Sequence, residues 1–87
     1  MRVEVTAEHI RRGKKNDCFL CPVALAVSGA CGRRVNAAVR QIGVKNRNGE
    51  DYGYVDTPVP AQQFMKAFDR GEAVEPFAFD LDVPEAP

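Results

Sequence analysis

The stretch Val35–Asp56, VNAAVRQIGVKNRNGEDYGYVD, decides how this chain folds. Val35, Ala37 and Val39 alternate as the apolar positions of a strand, and Ile42 and Val44 continue the pattern after a slip of one residue. A bulge near Arg40-Gln41 accounts for the slip, because one extra residue re-phases the pleat. A helix competes, since Val35, Ala38, Val39 and Ile42 also stand at helical spacing. Asn48-Gly49 favours the strand: it is a hairpin turn signal, both residues tolerating positive φ. Counting outward from that turn sets Arg47 against Glu50, Lys45 against Tyr52, Gly43 against Tyr54 and Ile42 against Val55. One face of the hairpin then carries Ile42, Val44 and Val55. The other carries Gly43, Lys45, Arg47, Glu50, Tyr52 and Tyr54.

Working outward, Arg2 to Val5 alternates as a short strand, and Thr6 caps a helix through Arg12 that Gly13 closes in the left-handed conformation. Lys14 to Asp17 is a polar, basic loop. Pro22 suits the first turn of a second helix, where its missing N–H costs nothing, and Gly32 suits its end. Nearly every residue between them is apolar, so this helix is expected to be buried on most of its surface, with Ala24, Ala26, Gly29 and Ala30 allowing close approach to a sheet. Past the hairpin, Thr57-Pro58 opens a helix with Pro60 in its first turn. Ala61, Phe64, Met65 and Phe68 form one amphipathic stripe, and Gly71 ends it. Phe77, Phe79, Leu81 and Val83 alternate with Ala78, Asp80 and Asp82 in a last strand that Pro84 stops. The order is β-α-β-β-α-β. It predicts a single small α+β domain over residues 1–83 with a frayed tail at 84–87, its sheet mostly antiparallel with helices on one face, as in a ferredoxin-like arrangement.

Length and composition bound the function. Eighty-seven residues, 45% hydrophobic and 28% charged, suit one core and an ordinary globular balance rather than disorder. No apolar run approaches the roughly 18 residues of a membrane span. The opening Met1-Arg2-Val3-Glu4-Val5 alternates rather than forming the apolar block of a signal peptide, and three cysteines are an odd number for a disulfide framework. Both point to the cytoplasm. The net charge of zero hides an asymmetry: residues 1–47 carry ten basic and three acidic side chains, and residues 48–87 carry two basic and nine acidic ones. Either the halves interleave, or they leave a basic face for an anionic ligand, or they make a dipolar surface that pairs with a copy of the chain.

Two segments, Cys18-x-x-Cys21-Pro22-Val23-Ala24-Leu25-Ala26 and Phe68-Asp69-x-Gly71-Glu72-x-Val74-x-Pro76-Phe77-x-Phe79, resemble those of a group of small uncharacterised proteins of bacteriophages and prophages, especially of actinobacteria. The resemblance runs from Val5 to Leu81. It implies a phage accessory product acting in the cytoplasm of an infected host bacterium. Such genes often encode host-takeover or anti-defence factors, including proteins that sequester nucleotide immune signals. The resemblance assigns no residue.

Candidate sites follow from residue type and spacing. Cys18 and Cys21 at a helix start suit a redox dithiol, because a helix N-terminus lowers a thiol pKa. With Cys31 and His9 they suit a Cys₃His zinc set, although one CxxC with a third Cys on the helix matches poorly. As small apolar side chains they pack where the helix enters the core. His9 lacks a Ser or Asp partner, Asp80 and Asp82 sit on a solvated strand face, and no nucleophile or phosphate-loop motif is present. No catalytic residue, metal or cofactor is therefore expected, and the chain reads as a binding protein rather than an enzyme. Anion binding has two supports. Arg11, Arg12, Lys14 and Lys15 precede the helix N-terminus near Cys21 to Val23, with Arg33 and Arg34 at its other end. Tyr52 and Tyr54 share a strand face with Lys45 and Arg47, so rings can stack a base while cations hold phosphate. Tyr54 opposite Gly43 is also how a sheet covers a glycine, and the same face suits a homo-oligomer interface. The leading expectation is capture of a small anionic, nucleotide-derived ligand. The alternatives are a module that inhibits a host protein through the acidic half or an edge strand, and single-stranded nucleic-acid binding.

Overall fold

A computed structural model describes residues 1–47 and 49–83; Asn48 of the hairpin turn and the tail 84–87, including Pro84, lie outside the described residues. The elements run β1 (Arg2–Val5), α1 (Ala7–Arg12), α2 (Pro22–Cys31), β2 (Val35–Ala37), β3 (Gln41–Lys45), β4 (Tyr52–Asp56), α3 (Val59–Asp69) and β5 (Phe77–Asp80). All strand pairs are antiparallel, and the chain is a small α+β domain. The single sheet expected from the sequence is two: β1 pairs with β5, and β2-β3-β4 form a meander. The ferredoxin-like arrangement, which needs one continuous four-stranded sheet, is not formed.

The second departure lies in the stretch that decides the fold. Val35 to Val44 is not one bulged strand but two, β2 and β3, folded back on each other with Ala37 opposite Ile42 and Val35 opposite Val44. The phase slip at Arg40-Gln41 is a reversal of the chain, closed by the Ala38 amide donating to the Gln41 carbonyl at 2.9 Å. Neither Val39 nor Arg40 has positive φ, so the turn carries none of the Gly or Asn chemistry that marks a tight hairpin. Thr57 holds it instead. The buried Thr57 hydroxyl donates to the Ala38 carbonyl at 2.7 Å, and its amide donates to the Arg40 carbonyl at 3.0 Å. The β3–β4 register matches the count from the sequence: Lys45 faces Tyr52, Gly43 faces Tyr54 and Ile42 faces Val55.

The core gathers the inner faces of both sheets and of the helices. Val3, Val5, Ile42 and Val44 meet Val23, Ala24 and Val27 of α2, and the α3 stripe Ala61, Phe64, Met65 and Phe68 is buried as its spacing predicts. A run of rings ties α3 to β5: Phe68 to Phe64 at 6.1 Å, Phe64 to Phe77 at 4.7 Å, and Phe77 to Phe79 at 5.6 Å. α2 packs against β1 and β2 through its first half. Its last turn departs from expectation: Gly29 and Ala30 are exposed, and a Cβ at Gly29 would meet nothing within 4 Å.

Thr6 caps α1 as expected, within a capping box that His9 completes by accepting the Thr6 amide at 3.0 Å. Gly13, however, is extended rather than left-handed (φ −68°, ψ 152°). Its lack of a side chain serves close packing, since a Cβ there would stand 2.5 Å from the ring of Pro22. Pro22 is rigid and buried, so Gly13→Ala is expected to destabilise the fold by about 1–3 kcal/mol through overpacking. Chemical denaturation checks this, as a lowered midpoint at unchanged slope.

Candidate functional site: the open face of the three-stranded sheet

In the meander, alternation sends Val35, Ala37, Ile42 and Val44 inward and leaves Asn36, Gln41, Gly43, Lys45, Tyr52, Tyr54 and Asp56 on the outer side. Among the described residues no helix is seen to cover this side, where Tyr54 is 56% exposed. Both tyrosine rings lean over Gly43: a Cβ there would lie 2.7 Å from Tyr54 Cε1 and 3.3 Å from Tyr52 Cδ1. The rings stand 6.2 Å apart, tilted by 35°. Glycine thus lets two aromatic side chains settle onto the backbone of β3.

Cations border the rings at one end. Lys45 places its ammonium 5.2 Å from the centre of the Tyr52 ring. The Arg34 carbonyl accepts the Lys45 amide at 2.8 Å, which sets the two residues side by side, and the Arg34 guanidinium lies 5.1 Å over the exposed Phe19 ring. At the other end stand the carboxylate of Asp56 and the amide of Gln41, with Asn36 directly across Gly43 from Tyr54. The face is polarised along its strands, positive at Lys45 and Arg34, negative at Asp56.

Of the residues expected to bind, Arg34, Lys45, Tyr52 and Tyr54 come together here, with the exposed Arg47 two residues past Lys45. Arg33 is half-buried beyond the end of α2. Arg11 and Arg12 lie on α1, which packs on α2 in the helical layer, and Arg11 pairs with Glu8, holding that carboxyl below its usual range. Lys14 is exposed in the loop after α1, and Lys15 lies at the far end of α3, its ammonium 2.9 Å from where a Gly71 Cβ would be. Phe19 and Asn36 escaped the sequence reading. Asn36 was legible as the outward residue between two inward apolar ones, whereas Phe19 reaches the site only because its loop docks on β2, the Ala37 amide donating to the Cys18 carbonyl at 2.7 Å.

The N-terminus of α2 is not the anion acceptor that its free amides suggested. Cys21 to Ala24 are buried there, and the Ala24 amide donates to Cys21 Sγ at 3.4 Å. The cleft beside it, about 220 Å³ between α2, the β2–β3 turn and α3, is walled by apolar side chains, with Asp17 and Asp69 at its rim and no basic lining residue. That charge repels an anion.

The cysteines are free thiols, and no group of three or more His, Cys, Asp or Glu side chains suited to a metal converges among the described residues, so the Cys₃His set of His9, Cys18, Cys21 and Cys31 is not assembled. Burial pushes the Cys21 thiol up, outweighing the Ala24 and Val23 amides that pull it down, as suits a small side chain packed where the helix enters the core rather than a redox thiolate. The unfolded thiol ionises near its ordinary pKa of about 8.5, below the native one. Its contribution to stability is therefore complete below that pH and is lost as pH rises through the raised native value. Unfolding free energy measured from neutral into alkaline conditions is expected to decline, and Cys21→Ala to flatten that decline.

Within the described residues no helix is long and apolar enough to cross a membrane. Compared with known protein families, with curated proteins and with solved structures, the chain matches none, so the site stands on its own geometry.

Proposed function

We propose that this protein captures a small anionic, nucleotide-derived ligand on the open sheet face, without catalysis. The observation that carries the proposal is the tyrosine pair seated over Gly43 on the outer sheet face, Tyr54 exposed, with Lys45 and Arg34 at one end. Tyr54 supplies the exposed ring for a base. Lys45 and Arg34 stand where phosphate charge would fall, and Asn36 and Gln41 supply amides for base edges. The resemblance to phage proteins adds a setting, in which a product that sequesters a nucleotide signal would act inside an infected bacterium.

A panel of mono-, di- and cyclic nucleotides, read by thermal shift and by mass spectrometry of the protein as purified, tests the proposal. A stabilising ligand or a retained nucleotide is expected. No shift with any member, together with no retained small molecule, overturns it.

Single-stranded nucleic acid is a second reading, favoured by the additional exposed ring of Phe19 beside Arg34. Its mark is binding to an oligonucleotide that weakens steeply with salt, whereas a mononucleotide held mainly by one stacked ring and two cations depends on salt more weakly.

A further inference from the structure

We infer that β4 is a two-fold interface on which a second copy of this chain pairs antiparallel, Tyr54 against Tyr54 of the partner subunit. This goes beyond ligand capture and does not depend on it.

The meander has two edges. That of β2 is partly occupied, because the Ala37 amide is bonded to the Cys18 carbonyl. Among the described residues no strand pairs with the outer side of β4. The phase of the ladder says which of its groups point outward. The Thr57 amide donates to the Arg40 carbonyl at 3.0 Å and the Asn46 amide donates to the Asp51 carbonyl at 2.6 Å, so β4 bonds to β3 through its odd-numbered residues. The N–H and C=O groups of Tyr52, Tyr54 and Asp56 therefore face away from β3. The strand contains no Lys or Pro, the residues that usually guard an edge.

Charge and hydrogen bonding select one register. Centred on Tyr54, the two-fold sets Tyr52 opposite Asp56 of the partner subunit and Tyr54 opposite its own copy, using the outward groups of all three residues. It also sets Gly53 opposite the partner's Val55, a side chain the monomer leaves half-buried. Centred on Gly53, the axis opposes Glu50 to the partner's Asp56, two like charges. Centred on Val55, it opposes Tyr52 to the partner's Pro58, which has no N–H to give. Pairing through Tyr54 makes a six-stranded sheet, β2-β3-β4 continued by the partner's β4-β3-β2. Both tyrosine pairs and both Lys45 side chains then lie on one outer face, so the second copy doubles the proposed ligand surface.

Sedimentation equilibrium at high micromolar concentration, with no nucleotide added, tests the interface. The wild type is expected at twice its 9.6 kDa chain mass. Tyr54→Lys sets two ammonium groups against each other, and Tyr52→Glu sets a carboxylate against Asp56; each is expected to weaken the dimer about tenfold. Adding Asp56→Lys to Tyr52→Glu restores an opposite-charge pair and the dimer. Circular dichroism establishes that each variant is folded; should one not fold, Tyr52→Lys, which faces Asp56 with opposite charge, is expected to tighten the dimer instead. A monomeric wild type, single variants as dimeric as the wild type, a double variant without rescue, or no tightening by Tyr52→Lys overturns the proposal. Nucleotide binding by a monomer would leave the ligand reading standing while this one falls.

Discussion

Phe79→Ala is expected to lower the free energy of unfolding by about 3–5 kcal/mol, the largest effect of any single truncation proposed for this fold. Phe79 is 4% exposed, pairs with Val3 across the β1–β5 ladder and stacks on Phe77, which carries the contact on to Phe64 of α3. Removing its ring takes apolar contact from strand, ladder partner and ring stack at once. The first and last strands are joined through this two-stranded ribbon, and the ion pair across it, Arg2 with Asp80 at 3.8 Å, is exposed and contributes little. A domain of this size holds roughly 4–13 kcal/mol in total, so the variant loses a large part of it. Phe64→Ala is expected to cost less, because Phe64 lines the solvent-reached cleft and its loss enlarges a space already present rather than opening a sealed cavity. Denaturant titration of both variants checks the order; Phe64→Ala as the more damaging of the two would contradict it.

The second large effect concerns binding. Tyr54→Ala is expected to weaken capture of a nucleotide by about 1–3 kcal/mol, roughly 5- to 150-fold in Kd, the usual worth of one stacked base. Stability should barely change, because Tyr54 is an exposed ring on the outer face. Gly43→Ala sharpens the test. It leaves both tyrosines in place but puts a methyl group where the Tyr54 ring lies, and an exposed side chain can swing aside at small cost to the fold. The platform would be lost while the protein stays folded. Calorimetric titration beside a thermal melt reads both quantities. Unchanged affinity in both variants would place the ligand elsewhere on the molecule.

Much of this fold follows from local rules. Alternation alone marked β1, the inward residues of β3 and the start of β5, which ends at Asp80 rather than running on to Val83. The stripe Ala61, Phe64, Met65 and Phe68 needed only helical spacing, and Pro22 and Gly32 bounded α2 because one lacks an N–H and the other accepts positive φ, here 70°. The register that puts Tyr52, Tyr54 and Lys45 on one face could be counted from Gly49, which takes positive φ at 74°. These features depend on near neighbours in the chain, so the chain displays them.

Tertiary contact settled the rest. The reversal at Val39-Arg40 has no turn residue to announce it, and it stands because Thr57, distant in sequence, bonds the carbonyls of Ala38 and Arg40. Gly13 reads in the sequence as an αL cap and is extended instead, because a close approach also calls for glycine and only the position of Pro22 decides between the two. Burial overrode the helix terminus at Cys21, because desolvation acts on a thiol more strongly than nearby amides once the segment is packed. The scatter of the early cations, Arg34 and Lys45 beside the tyrosines but Arg11, Arg12 and Lys15 elsewhere, depends on how helices lie on sheets. Hydrophobic periodicity is silent about that, since it tells which side of each element faces inward but not which element it will face.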